Sequence, residues 1–294
     1  MVVVGAGLGG LLVASEVARR GGRPLVLEAG PVPGGVAATV RDEDYLLEPA
    51  AGSFLLPHAH LTPILESVGA SVVPAEAVAQ RRFVYDRGEL FELAGPAALA
   101  TRLVSRRGKL HLLREPWVGS PATITDESLR SFLQRRLGPE AGRMGATLMA
   151  HGVFAGDPDQ LSARAAFPAI VALEDAAGSL VRGALARRRA RSKDVPRARA
   201  HTALNGMDGL AAELAASLGD GFRPDWPVDS VQRDGNEWIV SGRGEERTPA
   251  VIVALAPTEA ARIMPGPFSP LLNEAHAAPV AVVGLGGPEA DMPV

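Results

Sequence analysis

Apolar and polar positions follow two different periods along the chain, and this change of period predicts a mixed α/β fold. Residues 1–4 and 24–27 are short apolar runs of the kind found in buried strands. Between them, residues 8–20 repeat small and apolar side chains at helical spacing, and Gly21 and Gly22 end that pattern. The first 27 residues therefore predict a strand–helix–strand unit.

The same patterns predict further elements downstream. Strands are expected at residues 45–54, 83–93, 251–255 and 280–284, a helix at 207–218, and a hairpin at 228–233 and 238–241 turned by residues 234–236. Another helix is predicted at 126–137, with Thr125 or Asp126 as its N-cap and Gly138 at its end. Residues 139–180 look mainly helical, whereas residues 182–199 are Arg-rich and predict little regular structure.

Composition narrows the function classes. A chain of 294 residues can form one large or two ordinary domains. Its 30 basic and 33 acidic residues nearly balance, which gives no field that favours nucleic acid. The absence of cysteine excludes disulfides and thiolate chemistry. No apolar run is long enough to span a bilayer, and residues 1–4 have no charged leader, so we expect a cytoplasmic protein.

A glycine motif joins the first predicted strand to the first predicted helix. Gly5 permits a tight turn, Gly7 lets the backbone approach a pyrophosphate, and Gly10 lets the helix pack closely on the sheet. Glu28 ends the second strand, where a carboxylate can bond a ribose hydroxyl and would repel the extra phosphate of NADP. The alternative is a glycine-rich turn without a ligand. The motif predicts binding of a dinucleotide through Gly5, Ala6, Gly7, Leu8, Gly9, Gly10 and Glu28.

A second glycine pair favours FAD over NAD. Gly34 and Gly35 follow Glu28 closely, and backbone at that point can pass beside a bound dinucleotide. NAD-binding units have no regular need for such a pair. A plain surface turn at residues 31–35 is the alternative.

Two other motifs are not expected to be sites. Residues 280–287 imitate the first glycine motif, but Pro288 leaves no helix to hold a phosphate. His58 and His60 lack a third metal ligand in a matching pattern, so a solvated turn is the expected structure there.

Two segments have both a structural and a functional interpretation. Residues 186–199 contain six Arg and one Lys, which indicates either a solvated linker or a contact with anionic lipid headgroups. Nucleic acid is disfavoured because no aromatic side chains are interleaved. The apolar side chains of residues 144–154 suit a core or the wall of a large apolar ligand site.

Taken together, the middle of the chain resembles the oxygen-dependent protoporphyrinogen oxidases, flavoenzymes of haem biosynthesis related to monoamine oxidases and phytoene desaturases. The resemblance covers essentially all of the sequence. It is carried by residues 82–90, 127–139, 152–162, 165–168, 205–210 and 277–283, of which 152–162 are the most specific.

The resemblance implies the positions of the ligand contacts. FAD contacts fall on the residues of the first glycine motif, on Glu28, and on Gly34, Gly35, Val36, Ala50, Ala51, Gly52, Ser53 and Val228. Arg82 would bind a propionate of the substrate, and the backbone at Gly152 would face the tetrapyrrole. Two positions depart from the family's pattern: Val32 stands where a basic residue is common, and Ala50–Ala51 stand where Gly-Pro is usual.

The resemblance also implies an α/β fold with three parts. A discontinuous Rossmann-like FAD-binding domain would comprise residues 1–75 and 203–262. A mixed-sheet substrate domain would comprise 76–92, 180–202 and 263–294, and a helical, membrane-associating insertion would comprise 93–179. Because the family continues for roughly a further third of its length, we expect a C-terminally truncated member.

The implied activity is oxidation of protoporphyrinogen IX to protoporphyrin IX, with FAD as cofactor and O₂ as acceptor. No side chain is expected to act as a general base, since the flavin carries the chemistry. Other flavoenzymes of this class, such as a coproporphyrinogen-to-coproporphyrin oxidase, and a non-catalytic nucleotide-binding remnant are the alternatives. We expect little activity from the 294-residue chain, and a peripheral location on the inner face of the cytoplasmic membrane.

Overall fold

The computed structural model describes residues 1–43, 45–76, 79, 81, 83–92, 102–120, 126–190, 198–264, 266–275 and 277–287. The chain divides into two compact units. The first unit comprises Met1–Ala75, Arg197–Ala277 and Ala281–Val294, and the second comprises Glu76–Pro196 and Ala278–Val280. The fold is mixed α/β with a parallel sheet, as predicted.

The helices and strands of the described residues have the following bounds. They are β1 (Val2–Val4), α1 (Leu8–Arg19), β2 (Leu25–Leu27), β3 (Val40–Asp42), β4 (Tyr45–Leu47), β5 (Phe54–Leu56), α2 (Leu61–Ser67), β6 (Val72–Pro74), β7 (Phe83–Asp86), β8 (Glu89–Glu92), α3 (Arg106–Arg114), α4 (Leu129–Leu137), α5 (Pro139–Val153), α6 (Ala163–Ala166), α7 (Pro168–Ala177), α8 (Leu180–Ala190), β9 (Arg199–Ala203), α9 (Met207–Leu218), β10 (Phe222–Arg223), β11 (Val228–Asp234), β12 (Glu237–Gly242), β13 (Glu245–Thr248), β14 (Val251–Val253), α10 (Pro257–Ile263) and α11 (Ser269–Asn273).

A parallel sheet in the order β10–β2–β1–β14 is the centre of the first unit. Its strands are covered on both faces, which explains why they are apolar without alternation. Val3 and Val26 lie in the core shared with α1 and α9. Val2, Val4 and Leu27 point to the opposite face and pack against the antiparallel sheet β11–β12–β13.

Two smaller sheets complete the first unit. Strand β9 pairs antiparallel with both β5 and β6, and β3 pairs with β4 in a hairpin. The side chains of Leu56 and Ala203 connect the three-stranded sheet to the core of α1 and α9. Residues 34–54 therefore contain the β3–β4 hairpin and end where β5 pairs with β9.

The second unit is mainly helical. Helices α4 and α5 pack together around Leu129, Phe132 and Ala146, and α7 packs against α8. A buried ion pair joins Arg136 of α4 to Glu115, whose carboxylate also accepts the Leu180 N–H at 2.7 Å at the start of α8. No helix in the described part of the chain has the length and hydropathy needed to cross a membrane.

Three local predictions were wrong. Helix α4 begins at Leu129 with Ser128 as its N-cap, because the Ser128 hydroxyl, and not Asp126, accepts the Ser131 N–H. Residues 182–190, expected to lack regular structure, belong to α8. Residues 280–284 form no strand, since nothing in the described residues pairs with their backbone and Val280 is 66% exposed.

Candidate functional site

The first glycine motif forms a compact turn at the carboxyl end of β1. Gly5 has φ +98°, and its N–H donates to the Leu27 carbonyl at 2.8 Å. A Cβ on Gly10 would lie 2.1 Å from the Gly5 carbonyl oxygen, so only glycine lets α1 approach the strand this closely. The conformation of Gly5 and the contact at Gly10 thus fix where helix α1 begins.

The N-terminus of α1 is open on the side where Gly7 lies. A Cβ on Gly7 would meet nothing within 4 Å, and Gly7 provides no side-chain cap. The first turn of α1 also contains no acidic residue. Free amides and the positive end of the helix dipole are therefore available to an anion.

The second glycine pair lies directly against this turn. The Gly34 N–H donates to the Ala6 carbonyl at 2.8 Å, and a Cβ on Gly35 would lie 3.3 Å from Gly7 Cα. Gly34 and Gly35 both have positive φ, at +124° and +60°, which favours glycine at each position. We call residues 5–10 together with 34–36 the cradle.

Glu28 lies at the edge of the cradle and is partly buried. Its Oε2 accepts the Ala6 N–H at 2.7 Å, and its Oε1 accepts the Gly30 N–H at 2.9 Å. Each carboxylate oxygen has a second lone pair, so these bonds leave acceptors for a ribose hydroxyl. Glu28 therefore shapes the loop and also offers a contact to a ligand.

Val228 is connected to Glu28 through the preceding turn. The Trp226 N–H donates to the Glu28 carbonyl at 2.7 Å, and Asp225 N–H donates to the Gly30 carbonyl at 2.9 Å. Val228 itself is buried and begins β11 opposite Gly242. The structure therefore brings the chain near Val228 to the same edge of the parallel sheet as Glu28.

The second predicted FAD segment, residues 50–53, lies in the turn between β4 and β5. Ala50, Ala51 and Ser53 are exposed and Gly52 is half-buried. Just ahead of them, Glu48 Oε1 accepts the Thr39 hydroxyl at 2.9 Å and the Met207 N–H at 3.0 Å.

The sequence did not predict the cluster of polar groups around Glu48. The Thr39 hydroxyl accepts the Asp208 N–H at 3.2 Å, and the Arg41 guanidinium bonds both Asp208 carboxylate oxygens at 2.8 and 2.9 Å. The Arg41 bond lowers the pKa of Asp208 to about 2. Glu48 and Thr39 thus cap α9 and hold the segment that follows the cradle.

Of the two predicted substrate contacts, one lies in the described residues. Gly152 is in the last turn of α5, where a Cβ would meet nothing within 4 Å. Next to it, Val153 is 64% exposed, and the Phe154 ring forms an edge-to-face contact with Phe167 at 5.4 Å. Arg82 lies outside the described residues.

His58 has a structural role in the described chain. Its Nδ1 accepts the His60 and Leu61 N–H groups at 3.3 Å each, which caps the start of α2. No group of three or more acidic, His or Cys side chains that could hold a metal occurs within the described residues.

The cradle fits a dinucleotide because three independent features meet there. They are the open space at Gly7, the uncapped N-terminus of α1 and the carboxylate of Glu28 at the end of the neighbouring strand. A pyrophosphate at the helix end and a ribose near Glu28 would use each of them.

Comparison with known proteins points in the same direction. The sequence profile of a family described as flavin containing amine oxidoreductase matches residues 8–291. The chloroplastic protoporphyrinogen oxidase of rice is 31% identical over 80% of this chain and 47% of its own length. The coproporphyrinogen III oxidase of Staphylococcus aureus is 25% identical over 62% of this chain and 42% of its own length.

Solved structures share the fold at low identity. An Exiguobacterium protein provisionally named protoporphyrinogen oxidase has a TM-score of 0.72 and 24% identity, and covers 93% of this chain and 63% of its own. Putrescine oxidase bound to putrescine has a TM-score of 0.62 and 20% identity, and covers 89% of this chain and 59% of its own. The chain spans about half the length of the curated relatives it matches, at 47% of the rice and 56% of the spinach protein.

Proposed function

The chain belongs to the family of flavin containing amine oxidoreductases, and we propose that it takes part in the FAD-dependent oxidation of protoporphyrinogen IX to protoporphyrin IX. Membership of this family confirms the resemblance inferred from the sequence, together with the predicted oxidoreductase class and FAD cofactor. The observation that carries the proposal is the open, uncapped N-terminus of α1 beside Glu28, in a chain whose relatives are named porphyrinogen oxidases.

In this proposal, residues of the first unit hold the nucleotide half of FAD. The amides at the start of α1 bind the pyrophosphate, and Glu28 accepts a ribose hydroxyl. The backbone near Val228 contacts adenine, Val36 lies beside the diphosphate, and residues 50–53 contact the remainder of the cofactor. Bound FAD would supply the redox chemistry, as hydride acceptor from the porphyrinogen and electron donor to O₂, which would be reduced to hydrogen peroxide.

The substrate is a tetrapyrrole with carboxylate side chains and an apolar ring system. We propose that Arg82 bonds a propionate, since a charge-assisted bond orients an otherwise apolar molecule. The backbone at Gly152 faces the macrocycle, and the open space at this glycine with the exposed Val153 beside it supports that role.

A coproporphyrinogen oxidase is the second candidate. Relatives named coproporphyrinogen III oxidase from Staphylococcus aureus and Bacillus subtilis match 62% of the chain. The two substrates differ in the number of carboxylates, so the choice depends on the groups around the macrocycle.

The test measures porphyrin fluorescence under air with either porphyrinogen as substrate. It uses the chain by itself and a chimera in which the chain is extended with the part of the rice enzyme that it does not match. The control is the same chimera with Gly7→Val, corrected for autoxidation without protein. We expect FAD-dependent turnover by the chimera and its loss in the control. A chimera with bound flavin that oxidises neither porphyrinogen contradicts the proposal.

We also propose a peripheral contact between the second unit and anionic lipid. Leu110, Leu113 and Trp117 are 56%, 64% and 78% exposed and recur along α3 and the turn after it. Exposed Arg106 and Arg114 lie in the same helix. Apolar side chains beside basic ones are typical of helices that lie in the membrane interface.

This contact is tested by cosedimentation with vesicles of phosphatidylcholine and phosphatidylserine. Binding should fall as salt rises, because exposed charges are screened. Leu113→Gln should weaken it, whereas Leu285→Gln in the first unit, also at a highly exposed leucine, should not. Binding that is indifferent to lipid charge, or lost equally in both variants, contradicts the proposal.

A further inference from the structure

The cradle has the geometry of a diphosphate site but presents apolar side chains beside its glycines. Val32 and Val36 flank the glycine pair and are 68% and 77% exposed, among the most exposed large apolar residues of the first unit. A Cβ on Gly35 lies 3.3 Å from Gly7 Cα, so Val36 adjoins the backbone that a diphosphate would contact.

Cationic side chains of the first unit are directed elsewhere. Residues 1–75 and 198–287 contain no lysine. Arg223, whose backbone carbonyl accepts the Glu28 N–H, pairs its guanidinium with Glu246. Arg41, which follows the cradle, is bonded to Asp208 and to the Asn205 carbonyl.

Three further arginines of the described first unit do not bond the cradle either. Arg19 and Arg20 are at the far end of α1 and pair with Glu16. Arg23 precedes β2, at the opposite edge of the parallel sheet. No hydrogen bond or ion pair described for this unit places an arginine side chain on residues 5–10 or 30–37.

We infer that, within the described residues of the first unit, backbone amides and the α1 dipole hold the FAD diphosphate without a cationic side chain, and that Val36 stands where an arginine could reach that diphosphate. The amides at the start of α1 are uncapped and no acidic residue opposes the anion in that turn. The inference rests on the family's flavin cofactor and not on the identity of the substrate.

If amides and a helix dipole hold the diphosphate without a cationic side chain, the affinity for FAD should depend only weakly on salt. Surface helix-terminus interactions are typically worth about 0.3–1 kcal/mol, so their screening should weaken binding by about two- to fivefold. A diphosphate held by arginine pairs would lose affinity more steeply, because each exposed ion pair adds a contribution that salt screens, with a Debye length of about 10 Å at 0.1 M and about 3 Å at 1 M.

The test is a titration of the apo chain with FAD, followed by quenching of flavin fluorescence, at low and at high KCl. ADP, which carries the diphosphate without a flavin, is titrated in parallel into the apo chain, and its binding is followed by isothermal titration calorimetry. Val36→Arg should tighten FAD binding about fivefold at low salt, the upper range for an exposed ion pair, and lose that gain at high salt.

Two control variants separate the effect of a positive charge at position 36 from the effects of side-chain size and of net charge. Val36→Gln adds length without charge, and Val13→Arg adds the same charge on the outer face of α1, where Val13 is 37% exposed. Neither should reproduce the effect of Val36→Arg. The inference is overturned if wild-type FAD affinity falls by more than about tenfold with salt, if Val36→Arg changes nothing, or if the wild type binds neither FAD nor ADP.

Discussion

At the scale of single residues, Glu28 has a structural role in addition to the ribose contact that we propose for it. Its two carboxylate oxygens accept amide protons from Ala6, in the turn before α1, and from Gly30, in the loop after β2. These two bonds also fix the orientation of the Glu28 carboxylate, so a ribose hydroxyl would meet an acceptor that is already in place.

Replacing Glu28 by Ala should weaken FAD binding by about 1.5–3 kcal/mol, the range for hydrogen bonds to charged groups. The apo protein should also lose stability, because two amides lose their acceptor. FAD titration and thermal unfolding measure the two effects, with the exposed Glu237→Ala as control. Unchanged FAD affinity in Glu28→Ala would exclude the ribose contact.

Asp208 gives the first unit a defined dependence on pH. Its pKa is lowered from 3.8 to about 2 by the Arg41 bond. A lowered carboxyl pKa stabilises the folded state above the unfolded value, and this stabilisation is lost as pH falls from about 3.8 through about 2.

The variant Asp208→Asn should therefore be less stable than wild type near neutral pH, and the difference should shrink as pH falls through that window. Because the Asp208 side chain is 35% exposed, we expect a difference of about 1 kcal/mol after solvent screening. Urea unfolding at a series of pH values measures it. A difference that persists unchanged at the lowest pH would show that the ion pair is not its source.

At the scale of elements, a side chain would have different effects at Gly7 and at Gly10: at Gly7 it should disturb ligand binding, and at Gly10 it should disturb the fold. Gly7 has φ −63° and open space at its Cβ position, so other residues fit there without strain. A Cβ on Gly10 would lie 2.1 Å from the Gly5 carbonyl oxygen and force α1 away from the sheet.

We expect Gly7→Val to retain the thermal midpoint of the apo protein but to lose FAD binding, because its side chain occupies the place of the pyrophosphate. Gly10→Ala should lower the free energy of unfolding by an amount typical of overpacking, about 1–3 kcal/mol, and should lower the thermal midpoint with it. Circular dichroism and FAD titration of both variants test this. Normal FAD binding by Gly7→Val would mean that the glycines serve the turn alone.

The sequence predicted local elements well and long-range partners poorly. Helix 207–218 and the β1–α1–β2 unit were predicted within one residue, because caps, glycines and periodicity lie within the elements themselves. The N-cap of α4 was misplaced because Thr125, Asp126 and Ser128 are all suitable residues. The strand predicted at 280–284 does not form, since an apolar run does not show whether another strand pairs with it.

The same limit applies to the candidate site. Gly5, Gly7, Gly10 and Glu28 could be identified because their spacing is local. Glu48 accepts the Met207 N–H from a helix 159 positions later in the chain, and no short motif indicates such a bond. The contacts of Val36 and residues 50–53 with FAD stay predictions.

At the scale of the whole molecule, the central hypothesis is that the β1–α1–β2 unit binds the adenosine diphosphate half of FAD. The family match covers residues 8–291 and supplies the flavin, while the geometry of the cradle supplies the site. The porphyrinogen substrate, Arg82 and Gly152 concern the remainder of the reaction and are proposals.

The most direct test of this claim is competition for bound FAD. Apo protein is loaded with FAD, and ADP, FMN or adenosine is added. The FAD released is separated from the protein by ultrafiltration and quantified by chromatography, which distinguishes it from added FMN. The account predicts that ADP displaces FAD, that FMN does not, and that adenosine is weaker than ADP because it lacks the diphosphate. Displacement by FMN with no effect of ADP would contradict the account, since the flavin half would then carry the binding and the cradle would not.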